Sequence, residues 1–193
     1  MRGFSLIETV VTISLMSVAL LALSMVIVFF YRTNANVLEQ SAAISSARRG
    51  IENAMKDLRE ATVAADGSFA IASAGPNSIT FYADVDKDNS VERVRYDLAS
   101  EVLTRYTLQA TGTPPTYSGQ ETSEIISDNV RNAIFVQNVF QYFDIDGNEL
   151  SSSPSPLDIK FVTATIIVNV NPTRAPEEFT LTSSATLRNL RVE

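Results

Sequence analysis

Glu8 is the first residue that asks for a chemical explanation. It stands at the head of a run, Thr9 to Tyr31, with no charged side chain and no proline. A carboxylate beside so apolar a stretch is costly in lipid and needs a partner, so it is a functional hypothesis by default. Two acidic turns follow far downstream. Asp84-Val85-Asp86-Lys87-Asp88 and Asp144-Ile145-Asp146-Gly147-Asn148-Glu149 carry the alternating oxygens that hard cations favour. A full EF-hand loop would need glycine where Asn89 stands and a bidentate acid where Arg95 stands. Asp, Asn and Gly also serve hairpin turns for backbone reasons, and that reading is preferred, so no metal site is assigned. The chain has no histidine and no cysteine. It also lacks a Gly-rich phosphate loop and a Gly-x-Ser-x-Gly elbow. Neither catalysis nor a cofactor is expected.

The element that positions Glu8 is a long apolar helix. Val10, Val11, Ile13, Leu15, Met16, Val18, Leu20 and Leu21 continue into Leu23, Met25, Val26, Ile27, Val28, Phe29 and Phe30, and Arg32 closes the run. A bilayer is crossed by about 20 mostly apolar residues, and in lipid the backbone must bond to itself, so a helix is required. A secretory signal peptide would have a shorter core and a small-x-small cleavage site before Arg32, which this stretch lacks. A plain anchor explains the apolar run but has no use for Glu8. With Met1 and Arg2 on the cytoplasmic side, the bulk of the chain lies outside the cytoplasm.

The stretch Gly3-Phe4-Ser5-Leu6-Ile7-Glu8 resembles the processing motif of type IV prepilins and pseudopilins: a short basic leader ending in glycine, then phenylalanine, and a glutamate at the head of a long apolar helix. The resemblance covers the first thirty residues, and its leader, residues 1–3, is short for the family. It implies cleavage after Gly3 by a membrane-embedded prepilin peptidase and N-methylation of the new terminus on Phe4. It implies that Glu8 is the assembly glutamate. The amine on Phe4 and the Glu8 carboxylate lie one turn apart and can neutralise each other, within a subunit or between neighbours. The implied partners are sibling pilins, the peptidase, an inner-membrane assembly platform and the bilayer.

Of 193 residues with formal charge −7, the anchor takes the first part, residues 4–31. What remains is one domain of ordinary size. The acidic balance argues against general nucleic-acid binding. Without cysteine, the exported part relies on its core alone.

Residues 32–63 continue as an amphipathic helix. Ile44, Ala47, Ile51, Met55 and Leu58 recur near the helical period, broadened by Ala43, Ala54 and Ala61. The opposite face carries Arg48, Arg49, Glu52, Lys56, Asp57, Arg59 and Glu60. Its basic residues alone suggest DNA, but the interleaved acids favour a solvated face, and no nucleic acid is expected. Gly50 is a weak point costing about 1 kcal/mol relative to alanine. The helix is expected to run from Phe4 to Val63, with Asp66-Gly67-Ser68 ending it.

Residues 64–193 form the head. Strands are expected at Ser78–Ala83, Val91–Leu98, Val102–Leu108, Val139–Phe143, Ile159–Val170 and Phe179–Leu190. Loops are expected at Ala110–Ser123 and Ser151–Pro156, while Glu124–Asn138 reads equally as helix or strand. An amphipathic helix on an antiparallel sheet is an α+β head. Arg49 to Ala61, Phe143-Asp144-Ile145-Asp146-Gly147 and Ala185-Thr186-Leu187-Arg188-Asn189-Leu190 resemble stretches of J-type pseudopilins of type II secretion and of W-type minor pilins. That resemblance, with Met25 where major pilins often have proline, implies a minor, tip-located subunit. A minor pilin of a type IV or competence pilus is the nearest alternative. A membrane-anchored binding or enzymatic domain is the alternative of another class.

Overall fold

The computed structural model of the protein describes residues 5–173 and 177–187. It divides into two units, Met1–Gln40 and Ser41–Glu193. Within the first unit the described chain is helical from Leu6 onward, part of a helix α1 that spans Leu6–Arg59. Its large side chains stand exposed, Leu6, Leu15, Met25 and Phe29 among them.

The second unit is α+β. The last turns of α1 pack on two antiparallel sheets where a single sheet was expected. The first is a meander in chain order: β1 (Ile71–Ala74), β2 (Ser78–Ala83), β3 (Glu92–Ala99), β4 (Val102–Leu108) and β5 (Thr122–Ser127). The second holds β6 (Phe140–Phe143), β7 (Phe161–Val168) and β8 (Phe179–Thr186). β2 and β4 match their expected bounds, and β1 has no counterpart among the expected strands. β5 takes the end of the expected loop and makes strand of only the first four residues of the ambiguous stretch, Ile125 and Ile126 among them, while 128–138 is irregular. The expected end of β8, Arg188 to Leu190, lies outside the described residues. The β3–β4 hairpin closes over Ser100 and Glu101, both at positive φ, which suits the twist of a two-residue turn.

One core joins the helix and both sheets. Ala47, Ile51, Ala54, Met55 and Leu58 supply the helical stripe, while Ile44 at its edge is only half-buried. Phe81 and Tyr96 meet it from the first sheet, and Phe140, Val162 and Ile166 from the second. Tyr142 ties the sheets together. Its hydroxyl donates to the Gly75 carbonyl at 2.7 Å and accepts the Gly75 N–H at 3.1 Å. β7 is completed along its outer half by an irregular segment: Asn132, fully buried, accepts the Ile167 N–H at 2.8 Å and donates to the Thr165 carbonyl at 2.8 Å.

The helix stops at Arg59, before the expected Val63. Its last turn tightens, with the Glu60 N–H reaching the Asp57 carbonyl at 3.1 Å. The Thr62 N–H then bonds to the Tyr82 carbonyl at 2.8 Å, so β2 captures the backbone that would have continued the helix. Asp66-Gly67-Ser68 forms a separate turn in which Asp66 Oδ1 accepts the Ser68 N–H at 2.9 Å.

Candidate functional site

Glu8 lies in the first turn of α1. Ser5 caps that turn: its Oγ accepts the Glu8 N–H at 3.3 Å. Ser5-Leu6-Ile7-Glu8 thus has the spacing of a capping box, in which an acid three residues past the cap supports the helix start. That spacing was legible in the sequence and offers a local structural reading of Glu8 beside its expected assembly role. A carboxylate here also faces the positive end of the helix dipole.

Several other polar side chains of this segment bond back to their own helix. Thr12 Oγ1 donates to the Glu8 carbonyl at 3.0 Å, Ser14 Oγ to the Val10 carbonyl at 2.8 Å, and Ser17 Oγ to the Ile13 carbonyl at 2.8 Å. Such back-bonding lets a hydroxyl sit in lipid at little cost. Glu8 differs, because its carboxylate makes no ion pair among the described residues. Gly3 and Phe4, the expected processing residues, lie outside the described residues. The helix is long and apolar enough to cross a membrane.

The head contains a polar cluster of the kind that can signal chemistry. Asp57 Oδ2 accepts the Tyr96 hydroxyl at 3.0 Å and pairs with Arg105 at 3.0 Å. Burial pushes the Asp57 carboxyl up, with Arg105 and Tyr96 pulling it back. Burial, reinforced by Asp57, also raises the Tyr96 phenol. The three groups come from α1, β3 and β4, and together they clamp the end of the helix to the first sheet. Asp57→Ala strands the Tyr96 hydroxyl and the Arg105 cation without their acceptor. The expected cost is about 2–3 kcal/mol, measured by urea unfolding of the full chain in detergent.

On the helix's charged face, Arg59 donates to the Ser184 carbonyl of β8 at 2.6 Å, which is a structural role. Outside the core, Glu121 joins Arg93 at 3.1 Å and Arg95 at 2.6 Å, and the Arg95 guanidinium sits 3.9 Å over the Tyr106 ring.

The two acidic turns differ. In the second, Asp144 Oδ1 accepts the N–H groups of Asp146 and Asn148, and Oδ2 accepts the Asn148 amide at 3.0 Å, so the carboxylate organises its own turn. These hydrogen bonds, Asn148 foremost, hold it below the usual carboxylate range. The first turn joins β2 to β3 and brings Asp84, Asp86 and Asp88 oxygens within 4.8 Å of one another. Sequence reading passed over Glu92. Parity along β3 places it with Val94 and Tyr96 on the core side, and it is 1% exposed.

No protein-family model matches the chain, and no curated protein matches it in sequence.

Proposed function

We propose that this chain is a pilin-like structural subunit, processed by a prepilin peptidase and assembled through its N-terminal helix into a type II secretion pseudopilus, as a minor tip subunit. The observation that carries the reading is Glu8: one carboxylate in the first turn of an exposed apolar helix, directly after Arg2-Gly3-Phe4. The self-bonded hydroxyls of Thr12, Ser14 and Ser17 support it, since they leave Glu8 as the group in that segment that needs an outside partner. In this reading the subunit rests in the inner membrane with its head outside the cytoplasm. On extraction its helix joins the bundle formed by sibling pilins at the assembly platform. Its work is assembly and not turnover.

Processing tests the reading. Co-expressed with a prepilin peptidase, the wild type is expected to lose Met1 to Gly3 and gain one methyl group on Phe4, read by intact mass. Gly3→Val is expected to remain uncut, because the peptidase site must admit a residue without a side chain. A wild-type chain still beginning at Met1 would sink the proposal.

A further inference from the structure

We propose that the outer edge of β8 is a docking site for an extended peptide segment of a partner protein, which adds to the three-stranded sheet as a further strand beside α1. The site lies wholly within the unit Ser41–Glu193 and does not rest on the assembly reading. It follows from where the backbone hydrogen bonds go. The Thr165 N–H bonds to the Val139 carbonyl and the Ile167 N–H to Asn132, so the odd-numbered residues of β7 turn their backbone groups away from β8. The even-numbered residues carry the β7–β8 ladder, and the register pairs them with Phe179, Leu181, Ser183 and Ala185. Thr180, Thr182 and Ser184 therefore point their N–H and C=O groups outward. Arg59 takes the Ser184 carbonyl at 2.6 Å. No bond among the described residues meets the outward groups of Thr180 and Thr182.

Open edges template unwanted pairing, and proteins blunt them. The other edge of this sheet is sealed: the Phe140 N–H bonds to the Pro76 carbonyl at 3.0 Å, and the Leu150 N–H to the Tyr142 carbonyl at 2.8 Å. In the first sheet, β1 is short and shifts register, and β5 carries Glu124 and an irregularity. β8 runs for 8 residues with no charge, proline or glycine. The groove beside it sets the chemistry of the occupant. Arg59 meets Ser184, and earlier turns of α1 meet Phe179–Ser183, so helix and strand run side by side. Between them lies a cavity of about 280 Å³ walled by Arg48, Ile51 and Glu52 of the helix. Ile51 and Leu181 are buried and give it an apolar floor. Arg48 and Glu52 are exposed on the rim and make no ion pair among the described residues. Residues four apart on a helix are about 6 Å apart along its axis. Side chains two apart on one face of a strand are separated by about 6.6 Å. The segment that fits therefore carries an acid and a base at alternate positions, the acid against Arg48 and the base against Glu52, while its backbone pairs with Thr180 and Thr182.

The probe is a capped, fluorescein-labelled hexapeptide, Thr-Glu-Val-Lys-Val-Thr, titrated into the full chain in detergent and followed by anisotropy. Saturable binding is expected. Amide exchange read by NMR is expected to slow at Thr180 and Thr182 when the peptide is bound, and to stay unchanged at Leu181 and Ser183, which the ladder already holds. Two N-methylated peptides, methylated on alternate sets of amides, separate backbone pairing from side-chain adhesion: one set is expected to lose binding and the other to keep it. Thr182→Pro removes an outward N–H without breaking a ladder bond and is expected to abolish binding. Arg48→Glu is expected to weaken the peptide about fivefold, and a peptide with lysine in place of its glutamate to recover the loss. If Thr182→Pro fails to fold, the N-methylated pair decides on the wild type. Absence of saturable binding, an equal effect of the two N-methylated sets, unslowed exchange at Thr180 and Thr182, or wild-type affinity in a folded Thr182→Pro would overturn the site.

Discussion

Gly50→Val is expected to destabilise the head by about 3 kcal/mol, and even Gly50→Ala by about 1–2 kcal/mol. Helix propensity alone gives the opposite sign for alanine, a gain of about 1 kcal/mol at an interior glycine. The structure overrides propensity because β5 crosses the helix at this point. A Cβ on Gly50 would overlap the Ile126 Cγ2 methyl and come within 3.2 Å of the Ile126 carbonyl oxygen. The methyl can swing aside, but the carbonyl is β5 backbone, at the irregularity between Ile125 and Ser127, and moves only with the strand. Only part of the strain can therefore relax. The measurement is urea unfolding of the full chain in detergent, followed by tyrosine near-UV circular dichroism. Ile126→Ala should recover part of the loss in the double mutant, since the two positions share one contact. A Gly50→Ala chain more stable than wild type would show that β5 does not approach the helix as described.

If the chain is a pilin-like subunit as proposed, Glu8→Leu is expected to be made, inserted and processed, yet to lose association with sibling pilins by roughly 100-fold or more. The figure follows from leaving a neighbour's amine unpaired in an apolar bundle, about 3–5 kcal/mol. Insertion should not suffer, because the substitution removes the one carboxylate from an apolar segment. The capping-box spacing of Ser5 and Glu8 makes a second variant decisive. Glu8→Gln keeps a side chain that can complete a capping box but removes the charge. If pairing with the Phe4 amine is what matters, Gln should fail as Leu does. If helix capping is what matters, Gln should behave as the wild type. Co-purification with sibling pilins from detergent, with intact mass to confirm cleavage, separates the two. Equal recovery of wild type and Glu8→Leu would remove Glu8 from assembly altogether.

What the sequence by itself determined is what rests on neighbours along the chain. The uncharged run from Thr9 to Tyr31 is enough to specify a helix of membrane length, since lipid leaves no other backbone solution. Burial of Ala47, Ile51, Met55 and Leu58 was legible because residues three or four apart share one helical face. β2 and β4 were legible because period-two alternation and flanking turn residues bound them. Tertiary structure decided what depends on residues distant in sequence. It set the end of the helix at Arg59, where β2 takes the Thr62 N–H. It divided the strands into two sheets, because long-range ladder partners such as Phe140 and Ala164 leave no mark in a local pattern. Gly50 turned from a weak point into a required gap because a strand from the far end of the meander crosses there. Glu92 is the sharpest case. Its parity on β3 was readable, but a charged residue at a core-side position is ambiguous until the neighbouring turn folds back over it. Only then is its carboxylate buried, with Oε2 on the Val85 N–H of that turn.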